Sequence, residues 1–595
     1  QGAALRADLD TRAGTIALTD RRSGRSWTQA PAAGAVVVSA RQAGAGGIDL
    51  ELAVPADDLR LAVTLRADPT APELTVELRG DGAMRAPLRW PGALLTAAGQ
   101  DLVLPVNEGV AFPVDDPVPP AGRFHLHGGH GLCMPWYGAM DADGAGWMAI
   151  VGTPDDAEVD LPRLGGLLRA APIWLPSRQA FAGERSLRYV LFDGGGHVAM
   201  AKRYRRHAAE TGLLRTLADK RASVPAVDLL VGAVNTWCWD DGAAAAICRE
   251  MRAAGIQRIL WSDALPSAAI RELNAMDVLT SRYDIYQDSM DPAQFPRLRY
   301  THPDWTTAAW QRGDIQLERD GRPVRGWEIE AKEGPMVPCG VLCDRQAPPY
   351  ARQRIAAELA DHPYRCRFID TTTASPWREC WDPRHPMTRS DSRRFRVDLL
   401  RVVSGEFGLV CGSETGHDAA VPVVHYFEGM LSLGPWRVPD AGRAMMRRWD
   451  EVPADVATFQ TGHRYRLPLW ELVYHDCVVA HWYWGDYSDK LPALWDRRDL
   501  WNALYGTMPM FMFDRARWKA DRDRYARSYA ATAAVARATG YSEMAAHAWL
   551  TADRAVQRSV FANGVTVTVN FGERPWSDAA GAIPPLGRRV EGLGQ

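Results

Sequence analysis

Two stretches decide the fold: Cys366-Arg367-Phe368-Ile369-Asp370-Thr371-Thr372-Thr373 and Phe407-Gly408-Leu409-Val410-Cys411-Gly412-Ser413-Glu414-Thr415. Each is an apolar run of strand length that stops at small polar residues and carries one carboxylate at or just beyond its end. Between them, Ser390 to Ser404 places Phe395, Leu399, Val402 and Val403 on one face of a helix. A strand, a helix and a strand of this kind make one parallel βα unit.

The same alternation extends outward from this unit. From Val227 onward, strand candidates lie near Asp228 to Val234, Gln257 to Trp261, Asp277 to Thr280, Cys366 to Ile369, Phe407 to Cys411, Pro422 to Phe427, Trp470 to Tyr474 and Met508 to Phe513. Helical segments such as Gly242 to Ala254 and Tyr350 to Asp361 separate them. Eight such units predict a (β/α)8 TIM barrel over residues 223–555. Upstream, short alternating runs such as Thr15 to Thr19, Ala35 to Val38 and Leu61 to Leu65 are punctuated by Gly, Asp and Pro, which predicts a large β-sandwich over 1–222. Downstream, Asn563-Gly564 followed by Val565, Val567, Val569 and Phe571 reads as a hairpin, so 556–595 forms a small C-terminal β-domain. The expected class is therefore multidomain α and β.

Composition narrows the function. The 69 basic and 72 acidic residues leave a net charge of -3 with no long single-sign run, which argues against a nucleic-acid partner. No apolar stretch is long enough for a membrane-spanning helix. Nine dispersed cysteines without CxxC spacing do not make a disulfide framework or a zinc motif. His125, His127 and His130 lack matching ligands and read as a loop, so no metal and no cofactor is expected. Phe192-Asp193-Gly194-Gly195-Gly196 lacks the GK[ST] of a phosphate loop and reads as a turn between two strands. The 23 tryptophans outnumber the 17 tyrosines and 14 phenylalanines, and indole faces stack well on sugar rings. The sequence does not specify an oligomeric state. A chain beginning at Gln1 fits a mature secreted or periplasmic protein.

In a TIM barrel the chemistry sits at the C-terminal ends of the strands. Asp370 ends strand four and Glu414 strand five, 44 residues apart (414 − 370). Cleaving a glycosidic bond takes one carboxyl group to protonate the leaving oxygen and another to attack, or to activate water, on the opposite face. Adjacent strands can supply such a pair, although an Asp after a strand is also a common helix cap. Other strand ends supply candidate sugar-binding groups: Trp237, Trp239 and Asp240 after strand one, Trp261 and Asp263 after strand two, His417 after strand five, and Asp476, Trp482 and Asp486 after strand seven. The third βα loop, between Asp288 and Tyr350, is unusually long and carries Trp305, Trp310 and Trp327, as a wall over a ligand site would.

These residues resemble the clan of α-glycosidases that contains glycoside hydrolase families 101 and 129, the α-N-acetylgalactosaminidases. The similarity runs through Leu9-Asp10-Thr11-Arg12-Ala13-Gly14-Thr15-Ile16, Asp20 to Trp27, Phe368-Ile369-Asp370, Gly412-Ser413-Glu414-Thr415-Gly416, Val473-Tyr474-His475-Asp476 and the Asn563-Gly564 hairpin. The compact architecture is closer to family 129. The resemblance implies that Asp370 is the nucleophile and Glu414 the acid/base of a retaining exo-α-glycosidase. The expected substrate is an oligosaccharide or glycan ending in α-linked N-acetylgalactosamine or galactose. Two alternatives stand beside it: an α-glycosidase acting on α-glucosyl or other bacterial polysaccharide linkages, and a non-catalytic carbohydrate-binding protein on a barrel scaffold.

Overall fold

The computed structural model describes residues 2–594, which form two compact units. One comprises Gln1–His207 with Thr388–Ser390, and the other Ala208–Met387 with Asp391–Gln595.

The first unit is built on a nine-stranded antiparallel sheet. Its strands Leu59–Ala67 and Glu73–Ala83 alternate strictly, burying Leu61, Val63 and Leu65 on one and Leu74, Val76 and Leu78 on the other. That period of two places the leucines and valines of each strand on one face. The N-terminal hairpin, Leu5–Asp10 paired with Thr15–Asp20, packs against these two strands and closes a sandwich. The Gly194–Gly196 run connects a strand to a helix rather than two strands, because Ala180–Phe192 leads directly into the helix Gly196–Glu210. Positive φ at Gly195 and Gly196 permits the sharp turn.

The second unit contains eight parallel strands: Val234–Cys238, Ile259–Ser262, Leu279–Asp284, Cys366–Ile369, Val410–Glu414, Tyr426–Glu428, Val479–His481 and Met510–Phe513. They are hydrogen bonded in sequence order, and the eighth pairs with the first. Next to the seam between the seventh and eighth strands, the Ser488 N–H donates to the Met510 carbonyl at 3.0 Å and the Met510 N–H to Ser488 Oγ at 3.1 Å.

One expected strand is a helix. Leu469–Tyr474 is helical and buried on every side, and the seventh strand lies downstream at Val479–His481. A run of six residues, apolar but for Glu471, has no periodicity that separates a buried helix turn from a buried strand. The first strand is also displaced, because Val227–Leu230 forms a short helix before Val234.

At the N-terminal end of the barrel, the helix Leu217–Ser223 begins with a Thr216/Asp219 capping box. It buries Lys220, whose Nζ donates to the carbonyls of Val424 and Cys477, just ahead of strands six and seven. After the barrel, Met544–Trp549, Val556–Phe561, Thr566–Asn570 and Gly587–Glu591 make a four-stranded sheet. Its central hairpin turns at Asn563-Gly564, with Gly564 at φ 89°. All nine cysteines are buried and none is joined in a disulfide among the described residues.

Candidate active site

Alternation along the barrel strands decides which side chains face the interior. Val234, Ile259, Trp261, Phe511 and Phe513 pack outward in a core shared with the surrounding helices. Asn235, Trp237, Tyr283, Phe368, Tyr426 and Glu428 face one another across the barrel. Gly412 is required here, since a Cβ would come within 2.0 Å of the Tyr426 ring.

At the C-terminal ends, Ile369 pairs with Ser413, so Asp370 and Glu414 leave adjacent strands at the same level. Both line a cleft of about 500 Å³. Glu428 aligns with Glu414 on the sixth strand, giving carboxylates on three consecutive strands. The Tyr283 hydroxyl, from the third strand, donates to Asp370 Oδ2 at 2.6 Å. Arg437 Nη1 lies 3.8 Å from Glu414 Oε1, and its guanidinium sits over the Tyr483 ring at 3.9 Å.

The residue after each carboxylate is a β-branched threonine in the left-handed region, Thr371 at φ 58° and Thr415 at φ 40°. This conformation costs of order 1–3 kcal/mol and persists only where neighbours enforce it. Thr371 Oγ1 donates to the Asp370 carbonyl at 2.8 Å. The Thr415 N–H donates to the Glu428 carbonyl at 2.6 Å, and Arg437 Nη2 to Thr415 Oγ1 at 2.7 Å. The chain is thus bent sharply at both strand ends, where the two carboxylates stand.

Burial raises the Asp370 carboxyl well above the usual carboxylate range, and the charge of Glu414 adds to it against the opposing Tyr283 hydrogen bond. The two carboxyl groups interact, so their titration steps belong to the pair. Burial pushes Glu428 up to about 8, opposed by Asn235 Nδ2 and Trp237 Nε1, which both donate to Oε1 at 2.6 and 3.3 Å. Asp288, buried in the cleft wall, is also raised by desolvation, against a hydrogen bond from the Trp327 N–H at 3.0 Å.

The aromatic wall comes from three segments: Trp237 and Trp239, Tyr283, and Tyr483 with Trp484. Trp237 and Trp484 lie 5.1 Å apart between ring centroids, and Tyr283 is 5.9 Å from Trp484. The long third loop adds His302, Trp305 and Trp327 to the lining, with the His302 ring 5.5 Å from that of Tyr283. Its position is set by a charge cluster of three arginines and three carboxylates. Arg282 holds Asp304 (2.6 Å) and Glu358 (2.8 Å), while Asp284 is gripped by Arg354 and by Arg367 (2.9 Å), which also reaches Glu358. Buried charges matched in this way lock the loop to the third strand and the following helix.

Of the residues expected at the site, the cleft collects Asp370, Glu414, Trp237, Trp239 and Asp263. The others lie outside its lining. Trp261 points outward into the helix-facing core because it is one residue out of phase with the inward set. Asp240 precedes a helical turn at the rim. His417 is buried edge-on against Trp377, 4.6 Å away. Trp482 donates to Asn502 at 2.9 Å, and Asp486 is ion-paired to buried Arg498 at 2.6 Å. Asp476 sits at the opposite end of the barrel, ahead of strand seven, where its carbonyl accepts from Leu217. This follows from the helix at Leu469–Tyr474. Of the loop tryptophans, Trp305 and Trp327 face the cleft, whereas Trp310 packs under Gly340 and donates to the Ser289 carbonyl at 3.0 Å. Sequence reasoning missed Tyr283, Glu428 and Arg437 as site residues. The first two are polar residues at strand ends in the inward phase, a signal available once the strand limits are known.

The family model described as "Glycosyl hydrolases related to GH101 family, GH129" matches residues 250–560, which includes strands two through eight and both carboxylates. The chain belongs to family GH129. It is a glycoside hydrolase. No curated protein matches it in sequence. Among solved structures, α-N-acetylgalactosaminidase NagBb from Bifidobacterium bifidum in its GalNAc complex superposes with a TM-score of 0.76 at 22% identity, covering 96% of this chain and 98% of that one. Its Gal-NHAc-DNJ complex gives 0.75 at 20% identity, covering 100% and 99%. A GH31 sulfoquinovosidase from E. rectale gives 0.53 at 10% identity, covering 99% and 91%. At these identities the likeness is one of fold, and it extends over nearly the whole GH129 chain.

Proposed function

We propose that this GH129 enzyme is a retaining exo-α-glycosidase that releases terminal α-linked N-acetylgalactosamine, with Asp370 as nucleophile and Glu414 as acid/base. The observation that carries the reading is the pair itself, two carboxylates in register on adjacent strands, opening on one aromatic cleft. Family membership, and the likeness of fold to the α-N-acetylgalactosaminidase NagBb, support the choice of sugar and of the α linkage.

In this mechanism Asp370 attacks the anomeric carbon while Glu414 protonates the leaving oxygen. Glu414 then deprotonates the water that hydrolyses the glycosyl-enzyme. The Tyr283 hydroxyl on Oδ2 fixes the attacking carboxylate and favours its charged form. Arg437 beside Glu414 stabilises the carboxylate left after proton donation.

The test uses nitrophenyl α-glycosides. Wild type should cleave the α-N-acetylgalactosaminide in preference to the α-galactoside and α-glucoside. Glu414→Ala should keep activity on this good leaving group, be accelerated by azide and yield a glycosyl azide of retained configuration. Asp370→Ala should lose hydrolysis on every substrate, and any azide adduct it gives should be inverted. Exchanged stereochemistries would reverse the two roles, and preference for the α-glucoside would replace the sugar.

A further inference from the structure

Away from the cleft, Cys343, Cys380 and His385 bring two thiols and an imidazole nitrogen within 4.8 Å of one another, all buried. Cys343 follows the strand Val337–Val341 of the third βα loop, and Cys380 and His385 belong to the fourth, which begins at Asp370. We propose that these three residues form a zinc site that clamps the third and fourth loops together.

Three observations support a metal over simple packing. Tetrahedral zinc, with Zn–S near 2.3 Å and Zn–N near 2.0 Å, sets its sulfur and nitrogen ligands roughly 3.5 Å apart. Cys380 Sγ and His385 Nδ1 are 3.4 Å apart. Second, His385 Nε2 lies 2.9 Å from the Gly313 carbonyl, which can only accept, so Nε2 carries the hydrogen and Nδ1 presents its lone pair to the sulfurs. An imidazole oriented in this way by a backbone carbonyl is the usual supporting arrangement of a metal-bound histidine. Third, the backbone around the cluster already holds the three groups in place. The Cys343 N–H donates to the Asp314 carbonyl at 2.8 Å, Cys380 and Met387 exchange both backbone hydrogen bonds, and Trp381 N–H donates to the Leu317 carbonyl at 2.9 Å. Of the neighbouring carboxylates, Asp344 pairs with Arg396 at 3.0 Å, and Asp382 pairs with Arg384 and lies 3.6 Å from His385 Nε2. Water would complete the fourth position.

The full chain, purified under reducing conditions, should retain about one zinc per molecule by elemental mass spectrometry. Exchange with cobalt(II) should give the intense near-ultraviolet bands of thiolate ligation. Cys343→Ser and Cys380→Ser should each lower retained zinc at least about tenfold and remove those bands, whereas Cys248→Ser, in the helix-facing core, should keep both. Chelation of wild type should lower Tm and raise KM, since both loops wall the cleft. Reduced wild type that holds less than about a tenth of a zinc and gives no thiolate bands on cobalt titration would overturn the site, and this needs no variant to fold. A Cys343–Cys380 disulfide in non-reducing mass spectrometry would overturn it as well.

Discussion

Glu428→Gln isolates one buried proton. Glu428 is fully buried, its Oε1 accepts from Asn235 and Trp237, and no partner for Oε2 occurs among the described residues. Its carboxyl is raised from an ordinary 4.5 to about 8 by burial. At roughly 1.4 kcal/mol for each tenfold, that elevation corresponds to about 5 kcal/mol between the two protonation states. The sign follows from linkage. Between pH 4.5 and about 8 the folded protein keeps a proton that the unfolded chain has released, so this residue's contribution to stability is fully present below pH 4.5. It declines as pH rises and is lost by the folded-state value. Glutamine copies the neutral acid and cannot ionise. The variant should therefore match wild type to within about 1 kcal/mol near pH 5 and exceed it by several kcal/mol at pH 9. Denaturant unfolding of both proteins across this range reads the difference, in which all other titrations cancel. Infrared difference spectra should show a protonated-carboxyl band in wild type at pH 7 that the variant lacks. A stability difference independent of pH, or no such band, would refute a neutral Glu428.

Four further outcomes follow from the site and the loop that walls it. Arg437→Met removes the cation 3.8 Å from Glu414, so the alkaline limb of kcat/KM should move up by about one to three pH units; a limb that moves down would contradict an electrostatic role. Thr371→Val keeps the β-branch at φ 58° and loses the hydroxyl bond, whereas Thr371→Gly relieves the backbone, so the glycine variant should be the more stable by about 1–2 kcal/mol while both lower kcat. Trp305→Ala and Trp327→Ala should raise KM severalfold through lost stacking. Trp310→Ala should leave KM alone and lower stability by about 1–3 kcal/mol, because that ring supports Gly340 outside the cleft.

The strands that carry the carboxylates were legible because each combines an apolar run with a small polar ending, and a barrel puts its chemistry at such ends. Ile369-Asp370 and Ser413-Glu414 could be paired from spacing alone, and the Asn563-Gly564 turn is a local signal that needs no tertiary context. The seventh strand was not legible. Leu469–Tyr474 and Val479–His481 are both short and largely buried, and only packing distinguishes a short helix from a short strand there. That misplacement moved Asp476 from one end of the barrel to the other. What the sequence determined by itself is the βα alternation of the barrel, apart from its seventh strand, and the placement of Asp370 and Glu414 at adjacent strand ends, since both are written in local pattern. Tertiary structure alone decided the partners: that Tyr283 meets Asp370 across 87 residues, Asn235 meets Glu428 across 193, and Cys343 meets Cys380 and His385 from separate loops. Those meetings depend on which way alternate side chains turn when the sheet closes, and a one-residue phase change, as at Trp261, sends a side chain to the opposite face.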